Sequence, residues 1–526
     1  MDGRARPDHD VGEHTPMVDL PPALPPRGAP RIVKNDKDRP LSGEVRLPTR
    51  IHYATRQGMR AQWLVAGALV ILSVGGGCPI GFSGVLVPQL QSPNSTLQTD
   101  DETASWIVSM HSASTPVGTI LSGPLMDRLG RNRALQVATP FMVAGWTMLG
   151  FAQNHAMVLV ARALCGAAVG MMAAPSQVFL GEMSEPRMRG ILVGVPFVSY
   201  SIGILYVFLI GSLISWRYMC AVAASPIVVA AVCLYFLPES PVWLVRQGRL
   251  EQAQRTLDWL RGGAGSVQSK VEMDQLVSRA DAEKAENAVK KRSLWGMFTQ
   301  PHVVKPMVIM NVYCLLQGLS GTFIVIFYAV DLLDTVLPAT MSAELVAILT
   351  AAVRLVMSAT GCAVLQKCGR RPVALASAMG VSATAALLGF VLYFDWADSG
   401  GYVASSLALL YVALNSFGMF IMPGMMMSEL LPTSVRGVAS SATTCLFNLS
   451  LFAFAKAYPA LKVLLGSAGF FWLFSSAALL NLVWTYLLVP ETSGRSLNDI
   501  EDYFRAGVWL WGRRPRRRPI STLVDG

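Results

Sequence analysis

Residues 127–133 read Asp-Arg-Leu-Gly-Arg-Asn-Arg and stand between two long apolar segments. Residues 366–371 read Gln-Lys-Cys-Gly-Arg-Arg and repeat the Gly-Arg pair between two other apolar segments, about 240 residues later. Two glutamates follow each stretch in the same order. One stands seven residues before an Arg-Gly dipeptide, and these are Glu182 and Glu429. The other belongs to a Pro-Glu pair, and these are Glu239 and Glu491. Three matches in the same order predict two parallel halves built on a single plan.

The composition excludes an ordinary soluble enzyme. Of the 526 residues, 52% are hydrophobic and 14% are charged, and the mean hydropathy is +0.44. Soluble globular proteins carry about 25% charged residues, and a chain of this length needs them to form a hydrated surface. The net charge of +10 leaves two classes of partner open, nucleic acid and a membrane surface.

Twelve apolar segments have roughly the 17–25 residues that cross a bilayer. Several contain Gly and Pro, which helices in lipid tolerate. We therefore expect an all-α membrane protein with twelve transmembrane helices in two pseudo-symmetric six-helix halves. The predicted spans are Trp63–Val87, Ile107–Leu125, Ala134–Phe151, Met157–Leu180, Ile191–Leu213, Met219–Leu237, Val308–Ala329, Leu345–Leu365, Val373–Tyr393, Ser405–Met427, Val438–Ala455 and Val463–Val489.

The distribution of Lys and Arg predicts the orientation. Thirty-eight of the 43 basic residues lie in the N-terminal tail, the even-numbered loops or the C-terminal tail. By the positive-inside rule we expect both termini to be cytoplasmic. Because the orientation in the membrane explains the excess of basic residues, nucleic acid has little support as a partner. The first external loop holds Asn94 in an Asn-Ser-Thr sequon, a predicted glycosylation site.

The expected partners are membrane lipid and a small-molecule substrate. The membrane is predicted to be the plasma membrane, with an endosomal membrane left open. The basic run 513–518 is expected to attract anionic lipid, and a solvated topology anchor is the alternative. The eight cysteines show neither metal nor disulfide spacing, so no metal or cofactor is expected. Because no nucleophile–base pair or phosphate-binding loop is evident, we do not expect an enzyme.

Spans and charges divide the chain into five parts. The first is polar and Pro-rich and is predicted to be a disordered cytoplasmic tail. In the central linker, Leu250, Ala253 and Leu257 repeat at helical spacing, which predicts at least one short amphipathic helix. The parts are the tail 1–60, the six-helix half 61–237, the linker 238–304, the six-helix half 305–489 and the basic cytoplasmic tail 490–526.

The repeated charges predict a conformational latch on the cytoplasmic side. In the first half, two arginines are expected to meet two glutamates: Arg128 and Arg131 with Glu182 or Glu239. In the second half, three arginines are expected to do so: Arg370, Arg371 and Arg436 with Glu429 or Glu491. Asp127, Gly130 and Arg189 complete the predicted set. Breaking a buried ion pair is costly, so such pairs suit a conformational switch. The alternative is that these residues are loop charges that only follow the positive-inside rule.

Four stretches carry a resemblance to the sugar porter family of the major facilitator superfamily: residues 127–131, 238–244, 429–437 and 490–497. The resemblance covers about residues 60–505. Within the family, Ser184-Glu185-Pro186-Arg187 is most similar to the facilitated trehalose transporters of insects. The resemblance implies alternating access around a centrally bound sugar, with a helical bundle in the linker beneath the core.

The resemblance also implies a central sugar site, which needs hydroxyl partners and aromatic faces. The expected substrate contacts are Gln317, Ser320, Tyr328 and Asn448. Gln317 is the best of these, with a helix–helix hydrogen bond as its alternative role, and Asn448 faces the site only if its helix rotates. Several positions depart from the family pattern: Phe197, Gly318, Phe323, Gly424 and Phe447. Either the cargo differs from a common hexose, or affinity is low, or transport has been lost.

Two arginines lie within predicted spans. Arg162 resembles a family arginine with a structural role. Arg354, in the middle of the eighth span, is costly in lipid unless it faces water or a partner. A role in a cavity is one reading, and snorkelling or pairing with carbonyl groups is the other.

The expected function is facilitative (uniport) transport of a sugar, trehalose or a hexose, by alternating access. Proton-driven sugar porters carry an Asp in the first span, whereas here the matching residues Gly81-Phe82-Ser83-Gly84 include no acid. The alternatives are a non-transporting sugar sensor and a proton-coupled sugar or polyol carrier.

Overall fold

The computed structural model describes residues 56–93, 95–185, 194–263, 266–289, 300–334, 342–394, 402–432, 435–493 and 497–505, which belong to one unit, His52–Gly526. Every regular element in these ranges is helical. The helices are α1 (Arg56–Gln91), α2 (Asp101–Leu129), α3 (Arg131–Gly150), α4 (His155–Met183), α5 (Val195–Gly211), α6 (Trp216–Phe236), α7 (Pro241–Arg246), α8 (Leu250–Arg261), α9 (Val267–Val289), α10 (Pro301–Leu319), α11 (Ile324–Phe327), α12 (Ala329–Asp334), α13 (Ala343–Cys368), α14 (Arg370–Tyr393), α15 (Tyr402–Leu414), a π-helical turn (Asn415–Met419), α16 (Met422–Leu430), α17 (Arg436–Leu488) and α18 (Leu497–Arg505). The predictions for Asn94, Arg189 and the basic run 513–518 lie outside the described residues.

Eight of the described helices are long and apolar enough to cross a membrane. Large apolar side chains such as Phe236, Val463 and Leu464 are exposed on their outer faces, where lipid tails accommodate them and water does not. Helix α17 has 53 residues, and Gly466, with φ 67°, divides it into two helices. This break falls inside the twelfth predicted span instead of before it. The count of twelve spans stays a prediction.

Helices α1 to α6, called the first helix set below, share one buried core. The contact between α2 and α4 is close, since a Cβ added at Gly118, Gly166 or Gly170 would overlap the backbone of the facing helix. Glycine at these positions lets two helices pack in lipid, where van der Waals contact replaces the hydrophobic driving force.

The first helix begins earlier than the tail prediction for residues 1–60 allows. It starts at Arg56, and its first turns pack on the linker helix α8. Gln62 donates its side-chain amide to the Leu260 carbonyl at 3.4 Å, and Gly58 approaches the same carbonyl so closely that a Cβ would overlap it. Contact with the linker therefore extends the helix beyond its apolar segment.

Helices α10 to α17, called the second helix set, contain two interruptions that lie against each other. Helix α10 ends before Gly321, whose φ of 83° and close approach to the Phe474 ring require glycine. The predicted tenth span is broken by the π-helical turn Asn415–Met419, a distortion often found at functional sites. The Gln317 side chain bonds to the Met419 carbonyl and joins the two breaks.

In the described part of the linker, helices α7, α8 and α9 share a small apolar core of their own. The amphipathic helix predicted around residue 250 is confirmed as α8, whose Ala253 and Leu257 are buried. Arg261 pairs with Glu272 at 2.7 Å and ties α8 to α9. Part of the predicted C-terminal tail is also helical, because α18 packs Ile500 and other side chains into the core of the second set.

Candidate functional site

A charge cluster joins three segments at one end of the first helix set. The Arg131 guanidinium, almost fully buried, lies 3.0 Å from the Glu182 carboxylate, and Ser240 also donates to that carboxylate. Glu239 accepts backbone N–H groups at the start of α3, including those of Arg131 at 2.8 Å and Asn132 at 3.0 Å. A carboxylate at a helix N-terminus satisfies free N–H groups and the helix dipole. Arg131, Glu182 and Glu239 are called the first charge cluster.

The second helix set repeats this arrangement. Arg370 lies 2.9 Å from Glu429, and the Thr492 hydroxyl donates to the same carboxylate. Glu491 accepts the backbone N–H groups of Arg370 and Arg371, both at 3.0 Å. Arg370, Glu429 and Glu491 are called the second charge cluster. Each cluster binds the start of one helix to the last turn of a second helix and to the segment that follows the last helix of the same set.

The glycine before each arginine is required by the backbone. Gly130 has φ 104° and Gly369 has φ 85°, a region that L-residues with a Cβ rarely adopt. A Cβ at Gly130 would overlap the Glu239 carboxylate, and one at Gly369 would press against Glu491. The repeated Gly-Arg pair therefore places a turn and a guanidinium against two separate carboxylates.

Other residues of the predicted latch have different contacts. Asp127 accepts the Trp243 indole N–H through its backbone carbonyl at 2.9 Å, and no hydrogen bond or ion pair of the Arg128 side chain occurs among the described residues. The Arg371 guanidinium bonds to the Tyr486 carbonyl at 2.5 Å. Arg436 is expected from the sequence to meet Glu429 or Glu491, but no ion pair with either occurs among the described residues; at the start of α17 its Nε donates to the Leu431 carbonyl at 3.1 Å.

Four phenylalanine rings lie in contact where the two helix sets meet and are called the phenylalanine cluster: Phe197, Phe323, Phe420 and Phe447. Phe197 comes from the first helix set, and its ring centroid lies 6.2 Å from that of Phe420 in the second. A Cβ added at Gly424 would overlap the Phe197 ring. The departures from the family pattern at 197 and 424 are therefore linked in space. The Phe197 ring of α5 occupies the room that a side chain at 424 on α16 would need.

Two of the four predicted substrate residues lie together beside this cluster. The Gln317 amide nitrogen donates to the Met419 carbonyl at 2.7 Å, while its buried oxygen has no hydrogen-bond partner among the described residues. The Ser320 hydroxyl donates to the Gln317 carbonyl at 2.7 Å, and Tyr411 donates to the Ser320 carbonyl. The alternative role of Gln317, a hydrogen bond between helices, is thus present. The oxygen of its side-chain amide has no described partner.

The other two predicted contacts lie elsewhere. Tyr328 donates to the Ala455 carbonyl at 2.8 Å and stacks on Tyr458 at 4.0 Å. Asn448 donates to the Thr444 carbonyl of its own helix at 2.9 Å, which keeps its amide against α17. No described hydrogen bond connects either residue to Gln317.

The sequence prediction missed Asn415, which begins the π-helical turn. Its side chain is 1% exposed, and neither its amide oxygen nor its nitrogen has a hydrogen-bond partner among the described residues. A lone Asn inside an apolar span was the available signal, because a buried amide needs partners.

The two helix sets also meet at the end opposite the charge clusters. Lys456 of α17 donates to the Ser105 hydroxyl at 2.8 Å and lies 4.4 Å from the centre of the Trp106 ring, both on α2. Nearby, Lys462 pairs with Asp331 at 2.7 Å within the second set. A cation thus bridges the sets at this end.

Both the sequence and the fold are similar to those of known proteins. The family model described as "Sugar (and other) transporter" matches residues 76–504. The chain belongs to this sugar transporter family. "Facilitated trehalose transporter Tret1" of Apis mellifera ligustica is 30% identical over 488 residues, which cover 91% of this chain and 95% of the relative. The Tret1 protein of Culex quinquefasciatus is 32% identical over 82% of this chain and 84% of its own length.

Solved structures give the fold of this family member. The structure of the proton:xylose symporter XylE bound to 6-bromo-6-deoxy-D-glucose has a TM-score of 0.70 and 20% identity, and covers 85% of this chain and 100% of that one. The inward open conformation of XylE from E. coli gives a TM-score of 0.68, also at 20% identity, over 84% of this chain and 99% of that one. The likeness shows the major facilitator fold. The chain is therefore an integral multi-pass membrane protein, and its relatives are carriers, not enzymes.

Proposed function

We propose that this protein is a facilitative carrier that moves a sugar, trehalose or a hexose, across the membrane by alternating access. The observation that carries the proposal is the repeat of the charge cluster: Arg131, Glu182 and Glu239 in one set and Arg370, Glu429 and Glu491 in the other. Each cluster ties helix ends within its own set, so that each set can move as a body. Transporters with two repeated halves work by rocking such bodies around a central site.

The environment of Arg162 supports uniport over proton coupling. Its guanidinium donates to the Pro79 carbonyl at 2.7 Å, the Ser83 hydroxyl at 2.5 Å and the Ile107 carbonyl at 3.2 Å, and all three acceptors are neutral. Helix α1 contains no Asp or Glu. A proton carrier needs an ionisable group at membrane depth, and this region of the first set offers no carboxylate for that role.

The location and orientation are part of the same proposal. The distribution of basic residues supports cytoplasmic termini in a plasma-membrane protein, with both charge clusters on the cytoplasmic side. In that orientation Asn94 is external and open to glycosylation, and the basic run 513–518 faces anionic lipid.

The test uses the purified full chain in liposomes that contain a pH-sensitive dye. Radiolabelled trehalose and glucose are added outside, and sugar uptake and internal pH are recorded together. We expect saturable uptake of at least one sugar with no sugar-dependent acidification. Uptake with proton influx would replace uniport by the proton-coupled alternative.

A sugar sensor is the second candidate, and the packing of Phe197 over Gly424 favours it, since a ring held between the sets fills central space. Sugar binding to the purified protein with no uptake of any sugar would establish the sensor and reject the carrier.

A further inference from the structure

Arg354 lies on the face of α13 that meets the first helix set. One turn further along, Ser358 places its hydroxyl 3.2 Å from that of Ser201 on α5, and two turns along, the Cys362 thiol donates to the Gly194 carbonyl at 3.5 Å. Residues four apart share one helix face. Arg354 therefore points toward the junction of the two sets, where a carrier of this fold exposes its site to either side in turn.

The contrast between the two intramembrane arginines identifies what is unusual about Arg354. Both are buried, with 0% exposure for Arg162 and 3% for Arg354. The guanidinium of Arg162 donates to three acceptors. By contrast, Nη1 of Arg354 is buried without an acceptor, and no carboxylate lies within ion-pair distance of this side chain among the described residues. An unpaired charge at this depth is expensive, so the structure leaves a place for an anion.

Arg354 and the polar groups bonded to the segment that carries Phe420 suit a ligand that is partly anionic and partly a polyol. Its guanidinium lies 5.5 Å from the centre of the Phe420 ring, which belongs to the phenylalanine cluster. The backbone N–H of Phe420 bonds to the carbonyl of Asn415 at 3.1 Å, and the side-chain amide of Asn415 has no described partner. The free oxygen of Gln317 belongs to the same region, because its amide nitrogen bonds to the Met419 carbonyl.

We propose that Arg354 binds the carboxylate of a sugar acid, so that the cargo of this carrier includes sugars that bear one negative charge. A guanidinium presents a planar pair of N–H donors that matches a carboxylate, while free amides such as that of Asn415 are suited to hydroxyl groups. One guanidinium balances one charge, which favours a carboxylate over a phosphate ester that carries a charge of about −1.5 to −2. The inference rests on the proposed carrier function and extends its substrate class.

The test compares radiolabelled glucuronate, glucose 6-phosphate, glucose and trehalose on the purified full chain. Binding is measured in detergent, and counterflow is measured in liposomes preloaded with the same unlabelled compound. We expect saturable binding and counterflow of glucuronate, with glucose 6-phosphate at least tenfold weaker. Replacing Arg354 by Gln should weaken glucuronate binding at least tenfold, and replacing it by Lys should restore part of it.

The outcomes separate this inference from the proposed function. Counterflow of glucose or trehalose without binding of glucuronate to the unaltered protein would overturn the inference and leave the carrier intact. Tighter binding of glucose 6-phosphate than of glucuronate would overturn the choice of a carboxylate. Failure of all four compounds to bind or move would reject both. Because the binding measurement on the unaltered protein decides by itself, the inference stays testable if the Arg354→Gln protein does not fold.

Discussion

Replacement of Arg131 by Ala tests the switch role of the charge clusters. The Arg131 side chain is 4% exposed and that of Glu182 is 16% exposed, and Arg131 donates to the carboxylate through both Nε and Nη2. Removing one partner of a buried ion pair costs about 3–5 kcal/mol. Because Glu182 keeps some solvent and the Ser240 hydroxyl, we expect a smaller loss of about 2–3 kcal/mol, in the range of a hydrogen bond to a charged group.

If the first charge cluster is intact in only one of the two transport states, this loss acts directly on their equilibrium. At 1.4 kcal/mol for each factor of ten, the populations shift by about 30- to 140-fold. Sugar uptake should then fall at least tenfold while the amount of protein at the surface is unchanged. Arg370→Ala should behave in the same way, because Arg370 occupies the matching place in the second cluster.

The assay measures trehalose and glucose uptake in oocytes, divided by surface protein from biotinylation. Arg255→Ala is the matched control, since the pair of Arg255 with Glu251 at 3.9 Å is exposed and such pairs contribute little. Wild-type uptake in both Arg131→Ala and Arg370→Ala, with normal surface protein, would refute the switch and leave the clusters as structural features only.

Three further substitutions test the contacts around these sites. Gly130→Ala should lower the melting temperature of the purified protein more than Gly248→Ala, because both residues have positive φ but only Gly130 lacks space for a Cβ; equal shifts would contradict this. At Gly130, with φ 104° and ψ 172°, the backbone strain of a residue with a Cβ is worth about 1–3 kcal/mol. Gly424→Trp should destabilise the protein by collision with Phe197, and Phe197→Ala should recover the loss in the double variant; no recovery would show that the two sites do not couple. Lys456→Met should remove a hydrogen bond and a cation–π contact and so lower the melting temperature, whereas Lys456→Arg should keep the melting temperature of the unaltered protein. Identical melting curves for Lys456→Met and the unaltered protein would reject this bridge.

The elements that sequence predicts best are those set by local chemistry. The Gly-Arg pairs at 130–131 and 369–370 lie at helix junctions, where a positive φ and free N–H groups demand glycine and a carboxylate. Periodic apolar residues likewise predict α8, because one face of a short helix must be buried.

Contacts between distant helices are what the sequence could not supply. Counted separately, Phe197 and Gly424 are two losses from a sugar site, but in space the ring of one occupies the room left by the other. The direction of Arg436 depends on the turn that precedes α17, and Asn448 depends on the rotation of its helix. Each of these requires the relative position of helices that periodicity does not define.

The most direct test of the account is sugar counterflow in liposomes that contain the purified full chain, at equal pH on both sides and in the presence of a protonophore. Liposomes preloaded with unlabelled trehalose or glucose are diluted into the same labelled sugar. A facilitative carrier should accumulate label transiently, to the same extent with and without the protonophore. Absence of counterflow for either sugar, or its dependence on a proton gradient, would contradict the account.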